Sequence, residues 1–289
     1  MKIEKFVVLQ GKKLSLKKYE TDFTGDYTDK ENAIDDLRKN IVRLSELQDV
    51  LYAENKHAIL IIFQAMDAAG KDSAIKHVMS GLNPQGTEVT SFKQPSLEEL
   101  DHDYLWRSMK ALPQRGRIGI FNRSYYEEVL IVRVHPEVLQ FQQLPDDVRS
   151  DKNIWKKRYE QIRNSEKYLT ENGVHILKFF LNVSKAEQKK RFLKRINTPE
   201  KNWKFSATDA KERAFWDDYM QAYQDAIEAT STTDAPWHIV PADNKWFTRV
   251  AVSEIIAQKL ESLDMKYPVL NEEHRKQLLE AKKILESES

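Results

Sequence analysis

The chain has 289 residues, of which 40% are hydrophobic and 31% charged, enough for a sizeable core under a polar surface. Its 46 Lys and Arg residues against 45 Asp and Glu residues leave a net charge of +1, so any polyanion site must come from local clustering of charge. The absence of cysteine excludes disulfides and thiolate metal sites. No signal peptide or membrane span is predicted, and we expect a cytoplasmic protein without nucleic-acid or membrane partners.

The first predicted elements are an N-terminal arm and an amphipathic helix. Residues 1–27 combine a short apolar patch with a basic stretch and are interpreted as an arm lying on the domain. Thr28 and Glu31 form a capping-box pattern. The apolar residues behind them are spaced by three and four: Ile34, Leu37, Ile41, Leu44, Leu47 and Leu51. This spacing predicts a helix that packs on a sheet.

A buried strand followed by a phosphate-binding loop is predicted next. The run from Ile59 to Phe63 is short, apolar and rich in β-branched residues, which is typical of a strand buried on both faces. A turn ending in Gly70-Lys71 and a segment with helical spacing follow, and this is the context of a phosphate-binding loop. Backbone amides, the start of the helix and Lys71 would bind the anion. The predicted contacts are Ala68, Ala69, Gly70, Lys71, Asp72 and Ser73.

This loop departs from the usual G-x-x-x-x-G-K-[ST] pattern. Ala65 replaces the first glycine, and Asp72 stands where a hydroxyl normally binds Mg²⁺. Asp67 places a carboxylate inside the loop, where it would repel an anion unless a cation lies between them. Mg²⁺ bridges carboxylate to phosphate, so the pattern predicts Asp67 as a magnesium ligand. The alternative is an ordinary strand–turn–helix with a solvated lysine.

Further strands are predicted at 87–92, 118–121, 174–181 and 237–240, with helical patterns between them and a charged helical tail at 271–289. This alternation predicts an α/β fold, with helices on both faces of a mostly parallel sheet. We find no linker or internal repeat and predict a single domain over residues 1–289. In such sheets ligands bind at the carboxyl ends of the strands.

Residues after the predicted strand at 118–121 carry chemistry suited to that edge. Asn122 and Arg123 follow the strand directly, and Glu127 and Glu128 lie within the next turns. We predict catalytic roles for Asn122, Arg123 and Glu128, and metal binding by Glu127. The alternative for Glu127 is that it only caps a helix that begins at Ser124.

A basic helix and a loop beyond it suggest a lid. Arg191 and Arg195 are four residues apart and share a helix face, a repulsive arrangement that an anion would relieve. The loop behind them contains Pro199, Trp203 and Lys204, and residues 190–208 are predicted to close over phosphates. A solvated basic face is the alternative for the arginines.

Four stretches together resemble the polyphosphate kinase 2 family. They read QAMDAAGKDS, FNRSYYEEVL, KKRFLKRINTPEKNWKFSATDAKERAFWDDY and APWHIVPADNKWFTR, and the resemblance covers about residues 30–265. It implies a three-layer P-loop kinase fold related to thymidylate kinase, with a helical lid. It also implies Mg²⁺-dependent phosphoryl transfer between inorganic polyphosphate and adenine or guanine nucleotides, by a cytoplasmic homodimer or homotetramer.

The resemblance also assigns roles by position. Asp67 and Lys71 match the loop acid and lysine of the family, Arg123 matches its arginine after the strand, and Arg191 with Arg195 match its lid-helix basic residues. Trp203 and Lys204 match the lid. A phosphate chain has no base to read, so we expect an extended basic groove, with Lys76, Lys93, Arg115, Arg117 and Arg133 as candidate lining.

Two other functions remain open on the sequence. One is an ATP-dependent nucleoside or nucleoside-monophosphate kinase, because fold does not determine substrate. The other is a non-catalytic polyanion-binding protein, which the departures from the usual loop pattern at Ala65 and Asp72 would favour. Within the family, Asn122 followed by Glu127-Glu128 resembles the subgroup that accepts both AMP and ADP.

Overall fold

Five parallel strands form the sheet at the centre of the protein. The computed structural model describes residues 1–204 and 206–288, apart from the side chains of Lys204 and Ala207. The strands are β1 (Ala58–Gln64), β2 (Thr87–Ser91), β3 (Ile118–Asn122), β4 (Val174–Asn182) and β5 (Trp237–Pro241). Their order across the sheet is β2-β3-β1-β4-β5, and every pair is parallel. All seven residues of β1 are buried, as the apolar run predicts for a central strand.

Twelve α-helices lie in the described part of the chain. They are α1 (Lys30–Glu54), α2 (Lys71–Val78), α3 (Leu97–Leu100), α4 (Trp106–Lys110), α5 (Ile131–Val134), α6 (Asp146–Arg149), α7 (Ile154–Glu171), α8 (Lys185–Ile196), α9 (Ala207–Glu212), α10 (Trp216–Thr230), α11 (Lys245–Glu261) and α12 (Glu272–Ser287). Short 3-10 turns connect several of them, including one at Tyr125–Val129 after β3 and one at Pro199–Lys204.

The helices cover both faces of the sheet, which confirms the predicted α/β class. Helix α11 packs on α1 and α2, whereas α7 packs on β4 and α10. Connections between parallel strands are right-handed, and the connection through α2 runs in the opposite direction along the sheet from those through α7 and α10. The two groups therefore lie on opposite faces. Among the described residues, no helix is both long and apolar enough to span a membrane.

Some predicted helix boundaries were wrong. Helix α1 begins one residue later than the Thr28 cap implies, because the side chain of Asp29 accepts the hydrogen bond from the Asn32 amide. Between β2 and β3, Ser96 and Glu99 form a capping box at the start of the short helix α3, and α4 follows as a separate helix.

The N-terminal arm adds to the core. Val7 forms an antiparallel bridge with His238, and the Val8 amide donates to the carbonyl of Trp237 at 2.8 Å. Phe6, Val8 and Leu14 are buried in the same apolar cluster as the strands. The arm therefore lies along β5.

The chain reverses direction across the sheet at β1. From β1 it moves to β2 at one edge, and from β3 it later crosses to β4 on the other side of β1. Ligands of α/β proteins bind at the carboxyl edge of this switch point. The residues that follow β1 and β3 meet there, since Phe63 and Asn122 are paired in register.

Candidate active site

The loop between β1 and α2 is stabilised by its own lysine. The Lys71 ammonium is buried and donates to the Ala65 carbonyl at 2.7 Å. Ala68 and Gly70 have φ angles of 60° and 119°, and glycine suits the second of these because it has no Cβ. The first amides of α2 have no intrahelical acceptor, as at the start of any α-helix. The loop therefore presents amide donors beside a buried cation, as the sequence predicts.

Arg123 joins two carboxylates at the centre of the site. Its guanidinium contacts Asp67 Oδ1 at 2.9 Å and Glu127 Oε2 at 3.7 Å. The backbone of Arg123 is left-handed, with φ 66°, and its amide donates to the Phe63 carbonyl at 3.0 Å. This bond links the end of β3 to the end of β1 and directs the arginine towards the loop. Glu127 contacts Arg123 and does not cap the 3-10 turn, whose Tyr126 amide donates to Ser124 Oγ.

Burial sets the charge balance of this cluster. Burial, and after it the nearby Arg123, lower the pKa of Lys71 to about 8, although the carboxylates of Asp67, Glu127 and Asp72 oppose this shift. Burial also raises the pKa of Glu127, while Arg123 and Lys71 oppose that rise. An incoming phosphate would add the negative charge that Lys71 and Arg123 favour.

Asn122 lies against Asp72, the residue that replaces the usual hydroxyl. The Asn122 amide Nδ2 donates to Asp72 Oδ1 at 2.8 Å, between the end of β3 and the first turn of α2. The side chain that departs from the loop pattern at position 72 is thus held by the last residue of β3.

The carboxylates suit a magnesium ion that is shared with substrate. Among the described residues, no group of three or more His, Cys, Asp or Glu side chains is arranged to hold a metal alone. Mg²⁺ in phosphoryl-transfer sites usually takes one or two protein carboxylates and completes its shell with water and substrate phosphates. Asp67 and Glu127, both held by Arg123, provide such a pair.

A cavity of about 320 Å³ opens from Asp67 on one side of the loop. The charged residues Asp67, Arg123 and Glu127 line part of it. Other lining residues are apolar or aromatic, or carry polar groups on α9 and directly after it: Leu130, Ile131, His135, Tyr219, Tyr223, Thr208, Asp209, Glu212 and Arg213. His135 Nε2 lies 2.9 Å from Glu212 Oε2, and the Tyr219 hydroxyl donates to the same oxygen at 2.8 Å. The lining combines a charged cluster with apolar and aromatic side chains, which suits a ligand that carries both a phosphate and a ring.

Arg191 is at the loop, but its side chain is already occupied. It is buried, and its guanidinium donates to the carbonyls of Ala68, Ala69, Ala242 and Asp243 at 2.5–3.0 Å. Its Nε also donates to Glu187 at 2.9 Å. Arg191 therefore joins the phosphate loop to the segment after β5, which corrects the expectation that it offers a free charge to the donor. Arg195 is more accessible and lies 4.0 Å from Asp209.

Three of the predicted basic residues lie away from the loop. Arg115 and Arg117 precede β3, at the amino edge of a parallel sheet, opposite the phosphate loop. Arg115 donates there to the carbonyls of Lys56 and Asn172 at 2.9 and 2.6 Å. Arg133 pairs with Asp225 on α10. The guanidinium groups of Arg115 and Arg133 support the fold, and Arg117 precedes β3 at the edge opposite the loop, so the prediction that these three line the groove was wrong.

Glu128 also faces away from the loop. It is buried among Arg107, Arg158 and Gln142, in a second cavity of about 300 Å³ on the other side of the 3-10 turn. Successive residues of this turn point to different sides, so Glu127 reaches the site and Glu128 does not. The proposed catalytic role of Glu128 is therefore not supported by its position.

Among the other predicted phosphate ligands, Lys76 is exposed on α2 and Lys93 is exposed after the edge strand β2. The Ser73 hydroxyl accepts a hydrogen bond from Arg249 at 2.9 Å. The side chain of Lys204 lies outside the described part of the structure.

Two cations at the start of α11 were missed by the sequence reasoning. Lys245 begins the helix, and Arg249 follows one turn later on the same face. An i, i+4 basic pair directly after the last strand was the available signal, because that position lies on the ligand-binding edge of the sheet.

The protein has a parallel sheet with a lysine-bearing phosphate loop at its switch point, and an arginine–carboxylate cluster lies beside that loop. These features define the class of P-loop phosphotransferases. The family model for polyphosphate kinase 2 (PPK2) matches residues 27–268. The chain therefore belongs to the polyphosphate kinase 2 family, as the four sequence stretches predict.

Several proteins of similar sequence or structure match this chain over nearly its whole length. An ADP-polyphosphate phosphotransferase of Rhodopseudomonas palustris is 55% identical over 285 residues, which cover 99% of each chain. An AMP/ADP-polyphosphate phosphotransferase of Meiothermus ruber is 43% identical over 267 residues, or 92% of this chain and 96% of the relative. The crystal structure of polyphosphate kinase 2 from Arthrobacter aurescens superposes with a TM-score of 0.86 and 41% identity, covering 96% of this chain and 95% of that one.

Proposed function

We propose that this protein transfers a phosphoryl group from inorganic polyphosphate to ADP and AMP, and in reverse from nucleotide to polyphosphate. The observation that carries the proposal is the Asp67–Arg123–Glu127 cluster at the mouth of a phosphate loop, in a chain of this family. Both named relatives act on polyphosphate, and one is named for AMP as well as ADP.

In the forward direction an oxygen of the acceptor's terminal phosphate attacks the terminal phosphorus of polyphosphate. The bridging P–O bond breaks, and the donor chain leaves one phosphate shorter with the bonding electrons. Little covalent help is needed, because positioning and charge neutralisation dominate such transfers.

The site residues divide this work between them. Arg123 and Asp67 orient the acceptor phosphate, and the base would pack against the aromatic residues of the same cavity. Lys71 and the loop amides hold the transferring phosphoryl group. Bound Mg²⁺, held by Asp67 and Glu127, would neutralise phosphate charge.

We also propose that residues 190–208 act as the lid and that the protein works as a homodimer or homotetramer in the cytoplasm. Trp203 in this segment is 77% exposed, so a closing lid would change its surroundings. Quenching of its fluorescence by polyphosphate, absent in Trp203→Phe, would support closure. Sedimentation measures the oligomer.

One assay separates the proposal from its rivals. Purified protein receives polyphosphate, Mg²⁺ and ADP with no ATP, and nucleotides are followed over time. Formation of ATP is expected. No ATP here, with phosphorylation of a nucleoside monophosphate when ATP is supplied, would identify an ATP-dependent kinase. Binding without turnover of either donor would indicate a polyanion-binding protein.

A parallel reaction tests the acceptor range. With AMP as the only nucleotide, we expect ADP first and ATP after it. AMP left untouched while ADP is converted would remove AMP from the proposal.

A further inference from the structure

A pair of cations faces the phosphate loop from the side opposite the acceptor cavity. A Cβ atom built on Gly70 would lie 3.7 Å from Lys245 Cε, and Arg249 NH2 is 2.9 Å from Ser73 Oγ. Neither Lys245 nor Arg249 lines the acceptor cavity, which opens from Asp67. The acceptor cavity is lined by residues of α10 on one face of the sheet, whereas α11 packs with α2 on the other face.

These two cations are not held in close ion pairs in the described part of the chain, although the Glu187 carboxylate acts on Lys245 from a distance. Among the described residues, neither forms an ion pair within 4.0 Å, and Arg249 Nε is buried without a hydrogen-bond partner. Their neighbours on α8, Arg191 and Arg195, are also cationic, and the Glu187 carboxylate already binds Arg191. Burial, and after it the charges of Arg191, Arg249 and Arg195, lower the pKa of Lys245 to about 8. Such crowding is unfavourable until an anion neutralises it.

The direction of the reaction identifies the anion. Attacking and leaving oxygens lie roughly in line on opposite sides of the transferring phosphorus. The acceptor enters from the Asp67 side, so the leaving chain extends away from it, towards Ser73 and α11. A polyphosphate carries a negative charge on each successive unit, which matches cations placed one after another.

We infer that Lys245 and Arg249 bind the phosphates of the donor polyphosphate next to the one transferred. This inference rests on the proposed function and adds donor-binding residues to it. A nucleoside triphosphate would present the same phosphate chemistry to these cations, so the test includes both donors.

The test compares Lys245→Gln and Arg249→Gln with Lys167→Gln, a control on α7 whose side chain is 69% exposed and forms an ion pair with Glu171. Loss of one charge-assisted contact is expected to raise the KM for polyphosphate about tenfold, with the KM for ADP within about twofold of wild type. Each variant should also reduce the slope of log KM against log salt by about one, by analogy with counterion release from nucleic acids. The control should change neither quantity.

Calorimetric titration of the nucleotide-free protein with tripolyphosphate gives a second readout that does not depend on turnover. Arg249→Lys keeps the charge and should recover part of the affinity, and thermal melting reports whether each variant is folded. A polyphosphate KM within twofold of wild type in both glutamine variants would overturn the inference. So would a rise in the KM for ADP instead.

Failure of the proposed function looks different. In that case the wild-type protein would not consume polyphosphate at all. If ATP were then the donor and its KM rose in the two variants, the cations would bind a nucleoside triphosphate, and the polyphosphate assignment would be overturned.

Discussion

Replacing Arg191 by alanine distinguishes a residue that shapes the loop from one that binds donor. The side chain makes four hydrogen bonds to carbonyl oxygens, two in the phosphate loop and two after β5. It also pairs with Glu187 at 2.9 Å. In these contacts the guanidinium donates to the backbone of the protein itself and to Glu187, and none of them leaves a donor for a bound phosphate chain. We therefore expect removal of the side chain to change the position of the loop.

The size of the effect follows from burial. The Arg191 side chain is 8% exposed, and Ala69 and Ala242 are almost fully buried. Hydrogen bonds to charged groups contribute about 1.5–3 kcal/mol each, but they do not add when one residue makes several. Removing one partner of a buried ion pair costs about 3–5 kcal/mol. Glu187 is partly exposed to solvent, so the cost here lies at the lower end of that range. We expect Arg191→Ala to lower the free energy of unfolding by about 3 kcal/mol, and Arg191→Lys by roughly half as much, because lysine has fewer donors.

Urea denaturation measures the loss of stability, and steady-state kinetics at several salt concentrations measures the role in binding. Arg191→Ala should lower kcat and leave the salt dependence of the polyphosphate KM unchanged. Arg195→Gln, on the same helix face and more exposed, should flatten that dependence while leaving stability within about 0.5 kcal/mol of wild type. If Arg191→Ala were as stable as wild type and flattened the salt dependence, Arg191 would be a donor ligand and the reasoning above would be refuted.

Three further variants test other parts of the site and core. Lys71→Ala should lower kcat about 10²–10³-fold with unchanged circular dichroism. In the wild-type enzyme, kcat/KM for polyphosphate should fall as pH rises through about 8, because Lys71 loses its proton there in the protein without bound substrate. A flat profile up to pH 10 would contradict this. Asn122→Asp would place a carboxylate against Asp72 Oδ1, now 2.8 Å from the amide, and should lower the ratio of AMP to ADP initial rates about tenfold and raise the Mg²⁺ requirement; an unchanged ratio would place acceptor selection elsewhere. Lys178→Met would leave the Glu166 carboxylate, 2.5 Å from the ammonium, buried without its partner, and should cost about 3–5 kcal/mol in urea denaturation; adding Glu166→Gln should recover part of that loss, and equal stability of single mutant and wild type would exclude the ion pair as a stabilising element.

The strands other than β2 were predictable because each is a short, mainly apolar run, and its composition favours burial. β1 and β4 lie in the interior of the sheet, and their runs of apolar residues indicate that position directly. Helix ends were less predictable. Thr28 and Asp29 both offer a capping oxygen, and the choice between them depends on backbone geometry that two adjacent residues can satisfy almost equally.

The centre of the site was predictable for a similar reason. Asn122 and Arg123 lie at the end of β3, Asp67 and Lys71 lie between β1 and the first turn of α2, and parallel strands bring their carboxyl ends to one edge. The basic groove was not predictable in this way. A lysine or arginine has a long side chain, and its charge alone does not indicate whether it binds an anion, pairs with an acid or donates to carbonyls.

The amino-acid sequence by itself determined the order of strands and helices, the phosphate loop and the residues that the family's motifs carry, because these depend on local composition and on short fixed spacings. Only the tertiary structure decided the function of each cation. In the folded protein Arg191 donates to four carbonyl groups, and Arg115 lies at the opposite edge of the sheet from the loop. Lys245 and Arg249 lie beside the loop without ion pairs among the described residues. The physical reason is that a charge is neutralised by groups close in space, and in this fold those groups are distant in sequence: Arg191 and Ala68 are 123 residues apart, and Arg249 and Ser73 are 176 residues apart.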